Sequence, residues 1–417
     1  MMLNFKDFSW SIIFIWAGLF TIGLFAIYSA TQGPVAEFLP AYIQGNFDRQ
    51  LIWIGLSLVV LIAIQFIPPR TFQALSYIFY GVCLFLAILT IFVGIEVGGG
   101  TSWLSIFGMR LQVSEFLKLA TILAVANYLT HRRDISVDNL KTALITVMMI
   151  LVPAVIIMLQ NDTGTALVLV ALIPVILFWS GLSYGISLLI ISPAIVGYFS
   201  IIGLTYGIIA MIVITIIIFL IQNRTWLSLS SLVLGIVVIV GAEVALNQVL
   251  QPHQRARVES FVNPTLDPQG AGWNILQAKT AIGSGGFQGK GFLEGTQTQL
   301  RFLPAQWTDF IFCVIGEEFG FIGAGMVLLF YAFLFLKLLT MAGLHKHPFA
   351  QLVIVSVTFI YFTHFVVNIG SATAVLPIMG IPLPFVSYGG SAFLANTIML
   401  AVCLNLDLHK RSFSIYR

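Results

Sequence analysis

Apolar residues run almost unbroken through twelve stretches of the chain, at roughly residues 10–30, 50–67, 72–93, 111–130, 141–159, 165–182, 185–203, 206–222, 227–249, 309–338, 349–370 and 391–407. Most approach the ~20 residues that a helix needs to cross the hydrocarbon core of a bilayer. Inside that core each segment must bond its own backbone polar groups, which helices do. A transmembrane β-barrel would instead show alternating segments of about ten residues. The first run lacks a strongly basic start and is longer than the apolar part of a signal peptide, so it reads as a membrane helix. The pattern predicts an all-α, polytopic bundle of about 10–12 membrane spans, a single integral membrane domain over residues 1–417.

Composition narrows the class. Of 417 residues, 59% are hydrophobic and 8% charged, with 35 Phe, 19 Lys+Arg and 16 Asp+Glu. Soluble domains carry about 25% charged residues. So few charges exclude a soluble globular protein, a disordered chain and a nucleic-acid binder. Cys83, Cys313 and Cys403 lie inside apolar runs and read as small buried hydrophobes; the chain has no CxxC and no HExxH.

Placement of Lys and Arg sets the expected orientation. With the N-terminus cytoplasmic, Lys6, Arg70, Arg132, Arg133, Lys141, Arg224, Lys337, Lys346, Lys410, Arg411 and Arg417 all fall inside, and the short outer loops carry only Arg49 and Arg110. Both termini are then cytoplasmic. The long polar loop at about 250–308 is extracytoplasmic, and it is mildly basic, with Arg255, Arg257, Lys279, Lys290 and Arg301 against Glu259, Asp267 and Glu294. A basic outer loop of this length points to an anionic ligand, the plain alternative being a solvated loop with incidental charge.

Ionisable residues within spans are costly and mark candidate function. Glu115 and Lys118, three residues apart, share a helix face. Asp162 lies in a short outer break, and Asp309 opens the tenth span, where the plain alternative is a helix cap. Parity puts all four on the outer side. Glu317 and Glu318 lie deeper beside Gly316 and Gly320, and read as interhelical contacts. Glu243 and His364, each alone in a span, read as satisfied by neighbouring helices. The stretch Gly283-Ser284-Gly285-Gly286-Phe287-Gln288-Gly289-Lys290-Gly291 fits neither the Walker pattern nor GxGxxG. It reads as a loop whose amides and Lys290 are able to cradle a pyrophosphate.

Several stretches together carry a family resemblance: Gln112-Val113-Ser114-Glu115, Gln160-Asn161-Asp162-Thr163-Gly164-Thr165, Asn263-Pro264, Asp267-Pro268, Gly272-Trp273-Asn274 with Gln277, and Ala281-Ile282-Gly283-Ser284-Gly285-Gly286. Further on come Gly289-Lys290-Gly291, Gly295-Thr296-Gln297, Phe302-Leu303-Pro304, Thr308-Asp309-Phe310-Ile311-Phe312, Gly316-Glu317-Glu318 and Pro382-Leu383-Pro384-Phe385-Val386-Ser387-Tyr388-Gly389-Gly390-Ser391. In this order they resemble the SEDS family (shape, elongation, division and sporulation), and its RodA branch in particular. The sequence departs from the family pattern at Val113, Asn161 and Thr163, and at Ala305 and Trp307, where the family usually has Glu and His. RodA proteins typically have ten spans, so the resemblance also suggests a two-helix insertion around 206–249.

The resemblance implies a peptidoglycan glycosyltransferase that polymerises lipid II on the outer face of the bacterial cytoplasmic membrane during cell elongation. It implies a class B penicillin-binding protein as transpeptidase partner within the elongation machinery, no organic cofactor, and a divalent cation (Mg or Mn) by analogy. Asp309 falls on the family's essential acidic position and is the expected general base. Glu115, Lys118 and Asp162 fall on its outer cavity, with Trp103 placed among the cavity residues. Arg255, Arg257, Lys279 and Lys290 are the expected cations for the diphosphate leaving group. The rival readings are a lipid II flippase and a non-catalytic scaffold for the partner synthase.

Overall fold

The computed structural model describes residues 8–97, 100–106, 109–131, 140–249, 255, 258, 260–264 and 271–410. Every one of the twelve apolar runs is a helix. They are α1 (Trp10–Gln32), α3 (Asn46–Gln65), α4 (Pro69–Val93), α5 (Val113–Thr130), α6 (Leu140–Leu159), α7 (Thr163–Trp179), α8 (Tyr184–Ile202), α9 (Leu204–Gln222), α10 (Thr225–Val244), α13 (Ile311–Leu344), α14 (Pro348–Ala372) and α15 (Gly390–Leu408). Eleven are long and apolar enough to cross a membrane, and α7 is the shorter exception. The short helices α2 (Ala41–Gln44), α11 (Ala271–Ser284) and α12 (Thr296–Gln299) lie in the connections. Three antiparallel strands, β1 (Ile95–Val97), β2 (Gly100–Ile106) and β3 (Met109–Gln112), form a meander in order β1-β2-β3.

The chain gathers into two compact units, one of residues 1–132, 145–172 and 277–417 and the other of residues 133–144 and 173–276. In the larger unit, 83% of α5, 72% of α14 and 89% of α15 are buried along the span, against 17–39% of the other candidate spans. These three helices are therefore protein-surrounded, and they carry the buried polar residues Glu115, Lys118, His364, Asn368, Ser391 and Asn405. The remaining helices show large apolar side chains outward, as a lipid-facing surface requires. The smaller unit holds α8–α10. Its core is Val196, Met211, Ile214, Ile218, Leu227 and Ile239. Hydrogen bonds from Gln222 to Ser183 at 3.0 Å and from Thr215 to Ser231 at 3.2 Å tie the same helices.

Helix α13 is broken. Gly320 has φ 62° and ψ −156°, outside helical space. The chain on either side fills the break with hydrogen bonds to the glycine-rich loop. Phe321 and Ile322 donate their amides to Gly286 O and Phe287 O at 2.9 and 3.2 Å, while Lys290 and Gly291 donate theirs to Glu317 O and Glu318 O at 3.0 and 3.1 Å. Irregular backbone at membrane depth survives only when protein satisfies it in this way. A Cβ on Gly320 would overlap Gly289 N, so a side chain at this position would push the loop out.

Candidate active site

The sequence pattern gives Asp309 the first position of a helix, but α13 begins at Ile311 with Phe310 as its cap residue and no side-chain cap bond. Asp309 is therefore free of the capping role. It sits in a turn closed by amide bonds from Thr308 and Asp309 to Ala305 O, both 3.1 Å. Helix α14 and the loop between α14 and α15 hold this turn at three points. Ser387 Oγ donates to Thr308 O at 2.6 Å, Tyr388 N donates to Trp307 O at 2.9 Å, and Asn368 Nδ2 donates to Asp309 O at 3.1 Å. A Cβ on Gly380 would lie 3.7 Å from Asp309 Oδ2, so the carboxylate faces bare backbone there. The side chain keeps an open edge while protein crowds the rest of it. Burial pushes its pKa up from 3.8 to about 6, against a smaller downward pull from a Thr308 hydrogen bond.

Behind the turn lies a buried polar chain. Lys118 Nζ is 2.9 Å from Glu115 Oε1 and 2.9 Å from His364 Nε2. His364 Nδ1 is 3.0 Å from Pro382 O. An ammonium only donates, so Nε2 must accept and the ring proton sits on Nδ1, donating to Pro382 O. One turn further along α14, Asn368 donates to both Ile381 O (2.8 Å) and Asp309 O. An unbroken line of bonds and chain thus runs from the Glu115–Lys118 pair to the Asp309 turn. Glu115, Lys118 and His364 are all essentially inaccessible, and Glu115 Oε2 and Asn368 Oδ1 have no partner among the described residues. Sequence reading treats His364 as an isolated residue because its partners lie 246 residues upstream and 18 residues downstream.

The other expected residues divide by neighbourhood. Asp162 caps α7 through Thr165 N (3.0 Å) and accepts from Gln112 Nε2 (2.9 Å) and Ser114 Oγ (3.3 Å), which joins the start of α5 to α7. Trp103 pairs across β2 and β3 with Gln112, so it stands over that junction. Lys290 is bound at 2.7 Å to Glu317, whose carboxylate also accepts from Gln297 N, Thr298 N and Thr298 Oγ1. The Lys290 ammonium and the two loop amides at 290 and 291 are thus committed within the protein rather than open to a phosphate. Glu317 and Glu318 organise the loop as well as the helices, Glu318 through Ser29 and Gln299. Lys279 is exposed on α11, Arg255 belongs to the smaller unit, and Arg257 lies outside the described residues, as do Glu259 and Asp267.

Two residues outside that expected set stand next to the Asp309 turn. Arg49 Nη1 donates to Tyr42 O at 2.8 Å, and its guanidinium acts electrostatically on the Tyr388 hydroxyl. Arg110, on β3, acts electrostatically on the same hydroxyl. Burial raises the Tyr388 pKa, and the two guanidiniums oppose that rise. The sequence signal was present, since these are the only basic residues of the short loops expected outside.

Comparison with known proteins identifies the chain's relatives. The family model FTSW_RODA_SPOVE, described as cell cycle protein, matches residues 9–206 and 203–412. Peptidoglycan glycosyltransferase MrdB of Escherichia coli K12 is 32% identical over 371 residues, 89% of this chain and 88% of that protein. Peptidoglycan glycosyltransferase RodA of Treponema pallidum is 30% identical over 97% of this chain and 98% of its own length. Among solved structures, a chain from a study of polymerisation and crosslinking by a peptidoglycan synthase complex superposes with a TM-score of 0.71 at 25% identity, covering 96% of this chain and 97% of that one. Rod shape determining protein RodA of Thermus thermophilus gives 0.62 at 22% identity over 97% of each chain, which shows the shared fold. This multi-pass membrane protein belongs to the FtsW/RodA/SpoVE family of cell cycle proteins, the SEDS family.

Proposed function

We propose that this chain polymerises lipid II into glycan strands on the outer face of the cytoplasmic membrane, with Asp309 as general base. The chemistry is that of its relatives, peptidoglycan glycosyltransferases. The observation that carries the residue assignment is a carboxylate with an open edge, no helix to cap, and a pKa raised to about 6. A general base works best when its pKa lies near the working pH. As the sugar hydroxyl of the acceptor attacks the anomeric carbon of the donor, its proton passes to Asp309. The bond from that carbon to the diphosphate breaks, the lipid diphosphate leaves with the electron pair, and the configuration inverts.

The Glu115–Lys118–His364 chain supports the loop that holds Asp309, and Asp162 supports the α5–α7 junction. A class B penicillin-binding protein supplies the crosslinking step, in line with the synthase-complex neighbour. The Lys and Arg pattern supports an outward-facing Asp309 side, and the RodA-named relatives support a role in cell elongation. Among the described residues no three His, Cys, Asp or Glu side chains gather as metal ligands would. The divalent cation expected by analogy would come bound to the substrate diphosphate.

The test is polymerisation of purified lipid II by the full chain, with and without the partner synthase. Strands from wild type and none from folded Asp309→Asn support the reading. Near-normal polymerisation by Asp309→Asn removes the base assignment. A chain that makes no strands with its partner but moves lipid II across liposomes is a flippase.

A further inference from the structure

We infer that the connection between α1 and α3, residues 33–45, positions the Asp309 carboxylate, and that Trp307 is the positioning residue through which it does so. This assignment rests on the polymerase reading and deepens it, because it gives the Asp309 turn a second hold besides α14 and the loop after it. It also gives Trp307, one of the departures from the family pattern, a local physical reason.

Three observations carry it. Leu39 and Ile43 are buried and Trp307 packs against them, while Pro40, Ala41 and Tyr42 between them stay exposed. Side chains four apart share one face of a helical turn, so the chain through α2 presents both to a single partner. The connection is also built to keep its shape. Gln44 Nε2 donates to Ala36 O at 2.8 Å and to Leu39 O at 2.9 Å, and Gln32 Nε2, at the end of α1, donates to Gln44 O at 2.6 Å. Leu39 and Ile43 are thereby fixed to α1 rather than carried on a loose strap. Lastly, Trp307 is held twice. Its side chain lies on Leu39 and Ile43, and its carbonyl accepts from Tyr388 N at 2.9 Å. The neighbouring Gln306 is buried and donates to Ala30 O at 3.4 Å and Thr298 O at 3.1 Å. Ala305, which accepts the amides of Thr308 and Asp309, has φ 49°, a left-handed conformation that a residue with a side chain keeps only where its surroundings enforce it.

A side chain packed on one loop and a carbonyl bonded to another leave residue 307 little freedom, so the carboxyl two residues on keeps one place. The hold also keeps the turn dry. From residue 305 to residue 310, Asp309 is the only titratable side chain. The elements that hold the turn add Glu37 and Tyr42 in the connection, Tyr361 and His364 on α14, and Tyr388 before α15, with Arg49 and Arg110 acting on that tyrosine. Against these neighbours burial is the first cause of the raised Asp309 pKa, and a Thr308 hydrogen bond opposes it. Water admitted where the Trp307 ring or its two supports are cut away should therefore lower the proton affinity of Asp309.

The test titrates the Asp309 carboxyl by infrared spectroscopy of the full chain in nanodiscs, through the protonated C=O band that Asp309→Asn lacks. Over the same pH range kcat/KM is measured for lipid II with the partner synthase, and folding is read by melting temperature. Wild type should titrate at about pH 6. Trp307→Ala and the pair Leu39→Ala with Ile43→Ala should each titrate about half a pH unit lower or more and lose about tenfold or more in kcat/KM. All three changes together should lose little more than either set alone, because both cut the same contact. Trp307→Phe keeps the packing and should stay close to wild type in both readings. The exposed Tyr42→Ala, on the same short helix, should change neither. A folded Leu39→Ala/Ile43→Ala chain with the wild-type midpoint and rate overturns the proposal. So do losses that simply add, or a folded Trp307→Phe chain as impaired as the loop pair, and these readings decide the matter even where Trp307→Ala does not fold. Wild type that never polymerises lipid II, yet whose Asp309 midpoint falls in the loop pair, overturns the polymerase reading and leaves the positioning role standing.

Discussion

At Asp309 the energetic question is what its ionised form costs the protein. In the folded chain the acid holds its proton up to about pH 6, against 3.8 ordinarily. Between those values the folded state binds more proton than the unfolded state, so stability falls as pH rises through the window. Asp309→Asn should therefore melt at least as high as wild type at neutral pH, while polymerisation falls by about 10²–10⁴-fold. A catalytic base must be ionised, so kcat/KM of wild type should drop about tenfold per pH unit below about 6, a limb that a pH profile reads directly. His364 behaves differently. His364→Asn keeps a donor for Pro382 O, whereas His364→Leu leaves that carbonyl without a partner and Lys118 with Glu115 alone, at a cost of about 1–3 kcal/mol. Polymerisation by His364→Leu should fall about 10- to 100-fold through misplacement of the Asp309 turn, with the acid limb shifted; His364→Asn should fall less. Asp309 was legible as a chemical group because of its family motif and its position after the long loop. His364 was not, because its meaning lies in contacts that no local pattern encodes.

Among the elements, the helices were legible and the small sheet was not. The apolar runs announce themselves by length, but residues 95–112 present only Thr101-Ser102-Trp103-Leu104-Ser105-Ile106-Phe107 between glycines, too short a run to separate from a loop. Docking settles it. Thr101 N donates to Gln160 O at 3.0 Å, and Gln112 reaches Asp162, so the meander is fixed by a turn about fifty residues away. The glycine-rich loop is the converse case. Its glycines were conspicuous, yet they serve close backbone approach to α13 instead of phosphate binding. Lys290→Met should remove the ion pair from Glu317 and lower the melting temperature of the purified chain.

On the scale of the whole molecule, the open matter is parity. Helix α7 has 17 residues, about 25 Å at 1.5 Å per residue, somewhat less than the ~30 Å hydrocarbon core. If it crosses, twelve crossings return the C-terminus to the cytoplasmic side. A fluorescent-protein fusion after residue 417 should then glow, and an alkaline phosphatase fusion there should stay silent. The opposite pattern would mean that α7 does not span. The segments read as an inserted helix pair, α9 and α10, pack with α8 around a core of their own.

The break at Gly320 also dictates an order of assembly. The loop that satisfies Phe321, Ile322, Glu317 and Glu318 precedes α13 in the chain, so it has already emerged from the ribosome when the broken helix is made. Until that loop docks, the bare amides and carbonyls at the break are a burden at the translocon, because hydrocarbon offers them nothing. Defects in the loop should therefore appear first as poor membrane insertion and rapid degradation during synthesis, before any turnover of substrate is measured.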